Sequence, residues 1–475
     1  MDGQNMKTLL TDYLNGYSRR EQTLRPSTLD SVVVDSASKA VWVYANGGFK
    51  EQVFTDEVVE NIYRRIATCM PDSLSTYTLK VVTDGRRIEE LVPNLLRKDE
   101  PDTRRQWDVA YTGKPWIKNT SQPIEPTDGL TGHHIALWQS HGLYYRQDKD
   151  SWMWQRPRLF CSTEDLFTQT LVIPYLIPML ERAGAIVFTP RERSWQQQEV
   201  IVDNDTPEKN GQYIEHGRWH ECQAAGFAHL KETYADGDHP FGDGTAVYAK
   251  ATDSGHHSHS IEWLPALQKP GEYPVYVSYQ TTDESVDDAH YTIWHKGVRT
   301  DFLVNQQMGG GTWVYLGTFA FDTDNPADNR VELSNQSSRE GVVTADAVRF
   351  GGGMGNIARG LPTDRLDTAT DSTAVVSHLL RTSHLPRWAE AARYSAWWAG
   401  MPDSIYCHTN GTNDYNDDLW VRPMTINYMA GGSPFVPNME GLKVPIELAM
   451  AFHSDAGYSR WDDVVGTLSI CSADY

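Results

Sequence analysis

A change of periodicity in the middle of the chain is the feature that most constrains its fold. From residue 226 to residue 351, short runs of alternating apolar and polar residues are separated by turns, as in 271–279 and 313–319. Short strands at even spacing with few helix signals are typical of a β-sandwich. Helical spacing returns afterwards, at 387–399 and 418–429. We therefore predict an all-β sandwich at 226–351 that interrupts an α/β domain.

The segments that flank this insert alternate between strands and helices. Residues 135–140 form an apolar run of strand length, a helical pattern follows at 162–183, and 185–190 is a second such run. A strand–helix–strand unit implies a mixed or parallel sheet with helices packed on it. Pro174 and Pro178 fall inside the helical pattern, and we expect them to kink or break the helix.

The predicted domains follow from these patterns. Residues 1–40 are polar and are expected to form a loosely ordered lead-in. The first part of the α/β domain covers 41–225, the sandwich covers 226–351, and the second part covers 352–475. The chain stops at Tyr475, just past a strand-like run, so we expect that its natural sequence continues further.

Charge and composition exclude several classes of partner. The formal net charge is -21, which argues against nucleic acid or an anionic membrane as a partner. No apolar run is long enough to cross a bilayer. The first residues lack the basic and apolar segments of a secretion signal, so the protein is either cytoplasmic or begins after a removed signal. The five cysteines are scattered and form no C-x-x-C pair, which favours isolated thiols. The oligomeric state stays open.

Two apolar runs end in a histidine, and a glutamate begins the helical pattern between them. His141 follows 135–140, His453 follows 446–452, and Glu164 lies near the start of the 162–183 pattern. In open α/β sheets, ligands bind outside the carboxyl ends of the strands. Two histidines and one carboxylate form a common ligand set of zinc hydrolases, with the fourth position left for water. We predict a zinc site here, although taken singly each histidine also fits a buried core and the glutamate a favourable helix start.

The insert resembles the golvesin/xanthan-lyase carbohydrate-binding-like domain. The resemblance rests on motifs that occur in order through nearly all of the insert: Trp263-Leu264-Pro265, Ala289-x-Tyr291-Thr292, Val304-Asn305-Gln306, Leu316-Gly317-Thr318-Phe319 and Ala345-Asp346-Ala347-Val348-Arg349-Phe350. It implies a module that attaches the protein to a glycan. Trp294, Trp313 and Tyr315 are the candidates for stacking on sugar rings, although alternation also fits aromatic residues of the core.

The flanking parts resemble zinc-dependent N-acetylmuramoyl-L-alanine amidases, which occur fused to such modules in Bacteroidetes-type proteins often labelled xanthan lyase. In that family a histidine after a strand, a glutamate in the next helix and a histidine after a later strand bind zinc; by position these are His141, Glu164 and His453. The family's Arg-x4-Asn pattern reappears as Arg422 and Asn427, and 181–191 matches its second strand entry.

This second resemblance implies a zinc-dependent amide hydrolase that acts on peptidoglycan in the periplasm or at the cell surface. One departure concerns the catalytic glutamate that the family places beyond its third histidine. After His453 this chain has aspartates only, with Asp455 as the nearest, so the catalytic residue is unassigned. Two alternatives therefore stay open: a polysaccharide lyase of the xanthan-lyase type, and a glycan-binding protein without catalysis.

Overall fold

The computed structural model describes most of the chain in two compact units, which are treated separately below. The first unit contains the described residues up to residue 98 and the second those from residue 111 onward. The described ranges are 3–21, 26–98, 111–124, 126, 129–158, 161–253, 259–360, 380–433 and 438–454.

The first unit is a four-stranded sheet with two helices. Its elements are α1 (Gly3–Glu21), β1 (Leu29–Asp35), β2 (Ala40–Ala45), α2 (Asp56–Ala67), β3 (Thr78–Thr83) and β4 (Arg86–Arg87). The strand order is β1-β2-β3-β4, with β2 and β3 parallel on either side of the α2 crossover. Thr55 caps α2 by accepting the Val58 amide at 3.2 Å. The helix buries Val59, Ile62 and Ile66, which share one face.

The prediction of a loosely ordered lead-in over 1–40 is wrong. Leu10 and Leu14 of α1 are fully buried and pack in the same core as Val43 of β2 and Ile66 of α2. The polar residues of this segment occupy the outer face of a helix, and its few apolar residues suffice to bury the other face. Residues 41–98 also belong to this unit, so the α/β part that contains 135–140 does not begin at residue 41.

A three-stranded parallel sheet organises the α/β part of the second unit. Its strands are β6 (His134–Gln139), β9 (Ile186–Phe188) and β22 (Ile446–Phe452), in the order β22-β6-β9. Both pairings are parallel, as the strand–helix–strand pattern predicted. A β-hairpin of β7 (Leu143–Arg146) and β8 (Ser151–Trp154) follows β6 directly.

The helical segment between β6 and β9 is broken, as its prolines predicted. It comprises α3 (Glu164–Phe167), α4 (Gln169–Leu171), a π-helical segment (Val172–Leu176) and α5 (Ile177–Arg182). Pro174 lies in the π-helical segment, and Pro178 lies in the first turn of α5. Each proline removes a backbone donor, so a regular α-helical ladder cannot run through this stretch.

The all-β character predicted for the insert is confirmed. Its main sheets have the orders β10-β21-β15-β18 and β11-β14-β19-β16-β17-β5, and a smaller sheet has the order β12-β13-β20. Alternate residues such as Tyr291, Ile293, Val331 and Leu333 are buried between the sheets. The strands are β5 (Ile117–Asn119), β10 (Glu199–Val202), β11 (Gly211–His216), β12 (His220–Gly226), β13 (Gly244–Lys250), β14 (Ser260–Pro265), β15 (Gly271–Val277), β16 (Ala289–His295), β17 (Val298–Val304), β18 (Val314–Phe321), β19 (Arg330–Ser334), β20 (Val342–Ala345) and β21 (Val348–Gly351).

The predicted start of the insert at residue 226 is too late. Strand β10 pairs with the last strand of the insert, β21, and β11 pairs with β14. These early strands are short and partly polar on their outer face, so they gave no long apolar alternation. Strand β5 also joins the six-stranded sheet at its edge, beside β17.

The insert shares its core with the helices that follow it. These are α6 (Ala392–Trp398), α7 (Asp403–Tyr406) and α8 (Asp414–Ala430). Phe227 is fully buried between Trp313 of the insert and Trp398 of α6, with ring centroids 4.8 and 5.7 Å away. The sandwich and the α/β part are therefore not separable modules, because cutting out the insert would expose this shared core.

None of the helices in the described ranges is long and apolar enough to cross a membrane. Four cysteines, Cys69, Cys161, Cys222 and Cys407, are free thiols in the structure. The fifth, Cys471, lies outside the described residues.

Removing the ring at the centre of the shared core tests this arrangement. Phe227→Ala should lower the free energy of unfolding by about 3–5 kcal/mol, as expected for a large buried side chain. Phe167→Ala is the matched control, because Phe167 is 48% exposed and its loss should change stability by no more than about 0.5 kcal/mol. Urea unfolding followed by tryptophan fluorescence measures both. Equal losses in the two variants would contradict a core shared through Phe227.

Candidate metal centre

The carboxyl ends of β6 and β22 lie side by side and deliver both histidines to one place. Gln139 of β6 stands opposite Phe452 of β22, and the Ser140 amide donates to the Phe452 carbonyl at 2.8 Å. His141 and His453 come immediately after this point. Because parallel strands in register end at the same edge of a sheet, His141 and His453, which are far apart in sequence, are brought together here.

Gly142 lets the chain turn away directly after His141. A Cβ at this position would lie 2.5 Å from the carbonyl carbon of Glu390 and 2.7 Å from the amide nitrogen of Ala391. The backbone of Leu143 then accepts the Ala391 amide at 2.9 Å. Only glycine permits this close approach, which fixes the direction of the chain after the histidine.

His141, Glu164 and His453 form one cluster. One nitrogen of each imidazole and one carboxylate oxygen lie within 4.8 Å of one another. The Nδ1 atom of His453 is 3.0 Å from Oε1 of Glu164, and Nδ1 of His141 is 3.4 Å from Oε2. The two imidazole rings meet edge to face, with centroids 4.7 Å apart. The Ser454 amide also donates to Oε1 at 2.9 Å and holds the carboxylate in this orientation.

The cluster is buried on one side and open on the other. His141 and Glu164 are 2% and 5% exposed, whereas the side chain of His453 is 31% exposed. Burial, together with the charges of Arg422 and Arg156, lowers the pKa of His141 to about 2. His141 is therefore neutral at physiological pH, which is the form of imidazole that coordinates a metal.

Two buried arginines hold the backbone that carries His141. Arg191 donates from its NH1 group to the carbonyls of Gln139, at 2.7 Å, and of His141. Arg422 donates to the Ser140 carbonyl at 3.3 Å and to the Asp418 carbonyl at 2.9 Å. Burial lowers the pKa of Arg191 to about 10, so it stays charged at neutral pH. These bonds lock three successive carbonyls at the end of β6.

A third arginine contacts the carboxylate of the cluster. The Nε atom of Arg156 is 3.5 Å from Oε2 of Glu164. Its backbone amide donates at 2.9 Å to Asp165, which is fully buried and whose pKa is raised by burial. The positive charge of Arg156 thus faces the cluster from the segment that precedes α3.

The residues predicted to support the site have different outcomes. Arg422 touches the strand end beside His141, as described above. Asn427 contributes its backbone carbonyl to the end of α8, where it accepts the Gly432 amide at 2.8 Å. Asp455 lies outside the described residues.

The three aromatic residues predicted to stack on sugars are not equivalent. Trp313 is 6% exposed, packs against Phe227 and donates from its indole to the Trp398 carbonyl at 3.1 Å, so it belongs to the shared core, and its stacking on a sugar stays a prediction. Tyr315 is half-buried, with Arg193 lying 3.9 Å over its ring. Trp294 is half-buried with Arg330 4.7 Å over its ring. The alternating pattern fits an aromatic residue of the core as well as one that faces a sugar, so the sequence alone did not distinguish Trp313 from the other two.

Sequence reasoning missed Arg156 and Arg191 as parts of this site. Arg191 follows strand β9 by three residues, so it reaches the same sheet edge as the two histidines. The rule that strand ends gather functional residues would have identified it. Arg156 follows a hairpin strand, and nothing in its local spacing relates it to Glu164.

The donor atoms fit a zinc ion. Two imidazole nitrogens and a carboxylate oxygen are a ligand set that zinc accepts. Within the part of the chain that the structure describes, the buried Nδ1 atom of His141 has no hydrogen-bond partner. A buried polar atom of this kind is costly unless something satisfies it. A metal ion held by the three side chains would do so.

Part of this chain matches a known domain family. Residues 200–352 match the Golvesin C-terminal domain. That range begins at β10, where the sheet pairing also places the start of the sandwich. The resemblance of the insert to the golvesin domain is thereby confirmed. The matched range does not include the strands of the α/β part.

A curated relative shares a limited region with this chain. A xanthan lyase from Bacillus sp. (strain GL1) is 29% identical over 105 residues, which are 22% of this chain and 11% of the lyase. Among solved structures, Paenibacillus xanthan lyase is 22% identical with a TM-score of 0.26, covering 33% of this chain and 13% of its own. An exo-β-1,3-galactanase from Phanerochaete chrysosporium is 12% identical with a TM-score of 0.20, covering 32% and 29%. This chain therefore spans a small fraction of the lyase.

The low pKa of His141 gives a direct test of its surroundings. In protein freed of metal with EDTA, the ring nitrogens of His141 should show no protonation between pH 8 and pH 5 in long-range 1H–15N spectra. The pKa of His141 is lower in the folded protein than its unfolded value of 6.5, so below pH 6.5 the unfolded chain takes up a proton that the folded chain does not. The free energy of unfolding should therefore be unaffected by this residue above pH 6.5 and should decrease as the pH falls below it. A protonation midpoint near 6.5 in the folded protein would contradict the buried, arginine-flanked environment.

Proposed function

We propose that this protein is a zinc-dependent amide hydrolase of the N-acetylmuramoyl-L-alanine amidase type, acting on peptidoglycan or a related glycan-peptide in the periplasm or at the cell surface. The observation that carries this proposal is the convergence of His141, Glu164 and His453, whose donor atoms lie within 4.8 Å of one another. These residues come from three separate segments of sequence, and the family resemblance assigns the same three as ligands.

The surroundings of the cluster suit this chemistry. His141 offers a neutral imidazole, because burial and two arginines disfavour its protonated form. Zinc bound by these residues supplies a Lewis acid for an amide carbonyl and activates water near neutral pH. Arg156 places its guanidinium beside Glu164, where a positive charge favours negative charge developing on a substrate oxygen. The exposed side of His453 leaves the cluster accessible from solvent.

The sandwich would hold the glycan while the cluster acts on the amide. Its match to the Golvesin C-terminal domain and the limited similarity to a xanthan lyase support a role in carbohydrate binding. Trp294 and Tyr315 are half-buried aromatic residues of this part, and arginines lie over both rings. Because the sandwich shares its core with α6, binding and chemistry would be properties of one folded unit.

The residue that would take a proton from water is unassigned. The family's glutamate beyond the third histidine has no counterpart among the residues that follow His453 in this sequence. Metal binding therefore tests the proposal more directly than turnover does.

A second candidate function is glycan binding without hydrolysis. It is favoured by the match of residues 200–352 to the Golvesin C-terminal domain, because carbohydrate binding by this part requires no reaction at the cluster. A protein that binds zinc and retains insoluble cell wall, but releases no new amino groups from it, fits this candidate. A polysaccharide lyase, suggested by the relative's name, would instead release unsaturated uronates that absorb in the ultraviolet.

The zinc content of two variants tests the proposal. The wild type should bind one zinc per chain. Loss of a residue that merely supports a ligand already lowers metal affinity by roughly 10–100-fold, so His141→Ala, which removes a ligand, should lower zinc affinity by at least that much. His133→Ala is the matched control: this half-exposed histidine contacts Glu447, and its loss should leave zinc binding unchanged. Circular dichroism confirms that the variants fold, because the core around the site does not require the ion.

Elemental analysis after dialysis against a zinc buffer measures the content. Equal zinc in the wild type and in His141→Ala, or none in either, would overturn the assignment of the three ligands.

A further inference from the structure

A groove of about 550 Å³ adjoins the cluster through Arg156, which lines the groove and lies 3.5 Å from Oε2 of Glu164. The hairpin of β7 and β8 starts two residues after His141 and forms much of its wall. The groove continues along residues 155–158 to Thr163, which precedes Glu164 at the start of α3. The groove therefore ends one position in sequence before Glu164, whose carboxylate belongs to the cluster.

The groove is basic in a protein that is strongly acidic. The chain carries a net charge of -21, yet Arg146, Arg156 and Arg158 line the groove and no acidic residue is among its described lining residues. Arg146 is held by Asp148 through bonds of 2.7 and 3.1 Å, which leaves it partly neutralised. Arg156 points one nitrogen toward Glu164, at 3.5 Å. Arg158 is exposed at the edge of the groove.

Aromatic side chains line the same groove. Tyr144, Trp152 and Trp154 contribute to its surface. Trp152 is fixed by a 3.0 Å bond to the Arg381 carbonyl and by its packing against Tyr394, at 4.8 Å between centroids. Trp154 is half-buried and stands opposite Leu143 in the hairpin. Large aromatic surfaces bind the apolar face of a ring, and guanidinium groups bind carboxylates through paired hydrogen bonds.

We propose that this groove binds a sugar that carries a carboxylate, next to the metal cluster. Arg158 receives the carboxylate, and Trp154 packs against the ring. The role of this sugar in a reaction rests on the proposed function, but its binding in the groove does not, because the groove requires no metal. The carboxylate has two chemical sources: the lactyl group that amide hydrolysis frees on a muramic acid, or the C6 carboxylate of a uronic acid.

Calorimetric titration of the whole chain, freed of metal with EDTA, tests the groove. The probes are N-acetylmuramic acid, a glucuronate-containing disaccharide, and N-acetylglucosamine as the neutral sugar without a carboxylate. We expect at least one acidic probe to bind roughly tenfold more tightly than the neutral one, as a charge-assisted hydrogen bond permits. The better acidic probe identifies the source of the carboxylate.

Two variants and their controls localise the binding. Arg158→Gln should weaken the acidic probe by roughly tenfold and leave the neutral sugar unchanged, and Trp154→Ala should weaken both. Arg339→Gln and Trp195→Ala are the controls, because these residues are exposed and neither lines the groove. Unchanged circular dichroism shows that each variant folds.

Equal affinity for acidic and neutral sugars, no binding of either acid by the wild type, or no effect of Arg158→Gln would each overturn the proposal. Failure of the groove is distinct from failure of the proposed hydrolase. If the wild type binds no zinc but distinguishes the acidic sugar through Arg158, the groove stands and the zinc assignment falls. If zinc binds normally and the acidic sugar does not bind, the zinc assignment stands and the groove proposal falls.

Discussion

The parallel pairing of β22 with β6 is the constraint on which the site depends. The register of the two strands, which ends at a hydrogen bond from the Ser140 amide to the Phe452 carbonyl, aligns the strand ends so that each histidine leaves its strand at the same level. Glu164, at the start of the helix that follows the hairpin, then reaches both rings. The large sandwich between β9 and β22 in sequence does not disturb this pairing. Its last strand returns beside its first, and the chain re-enters the α/β part through α6 to α8.

Buried arginines make this strand end rigid at the cost of burying charge. Arg191 and Arg422 donate hydrogen bonds to the carbonyls of residues 139–141. Buried carbonyls at the end of a strand need such partners, because the sheet no longer supplies them there. Their desolvation is offset by these bonds and by carboxylates such as Asp418, 3.7 Å from Arg422. Burial, together with the charges of Arg422 and Arg156, lowers the pKa of His141 and keeps it neutral. A framework built for geometry thus also sets the protonation state that a metal ligand needs.

Local patterns predicted those parts of the structure that depend on nearby residues. Apolar runs ending in His141 and His453 became strands, and Pro174 and Pro178 broke the helix between them, because each effect acts within a few residues. The polar composition of 1–40 concealed a helix whose few leucines find partners on distant strands. Strands β10 and β11 were missed because their pairing partners lie far along the chain. Arg156 and Arg191 join the site only through tertiary contacts, and Trp313 is buried by helices outside the insert.

The central claim is that His141, Glu164 and His453 hold one zinc ion. Anomalous diffraction at the zinc absorption edge, from crystals grown with zinc, tests it most directly. We predict a single strong peak within about 2.0–2.2 Å of a nitrogen of each histidine and of a carboxylate oxygen of Glu164. A peak bound by other residues, or none at this cluster while the three side chains keep their hydrogen-bonded arrangement, would contradict it.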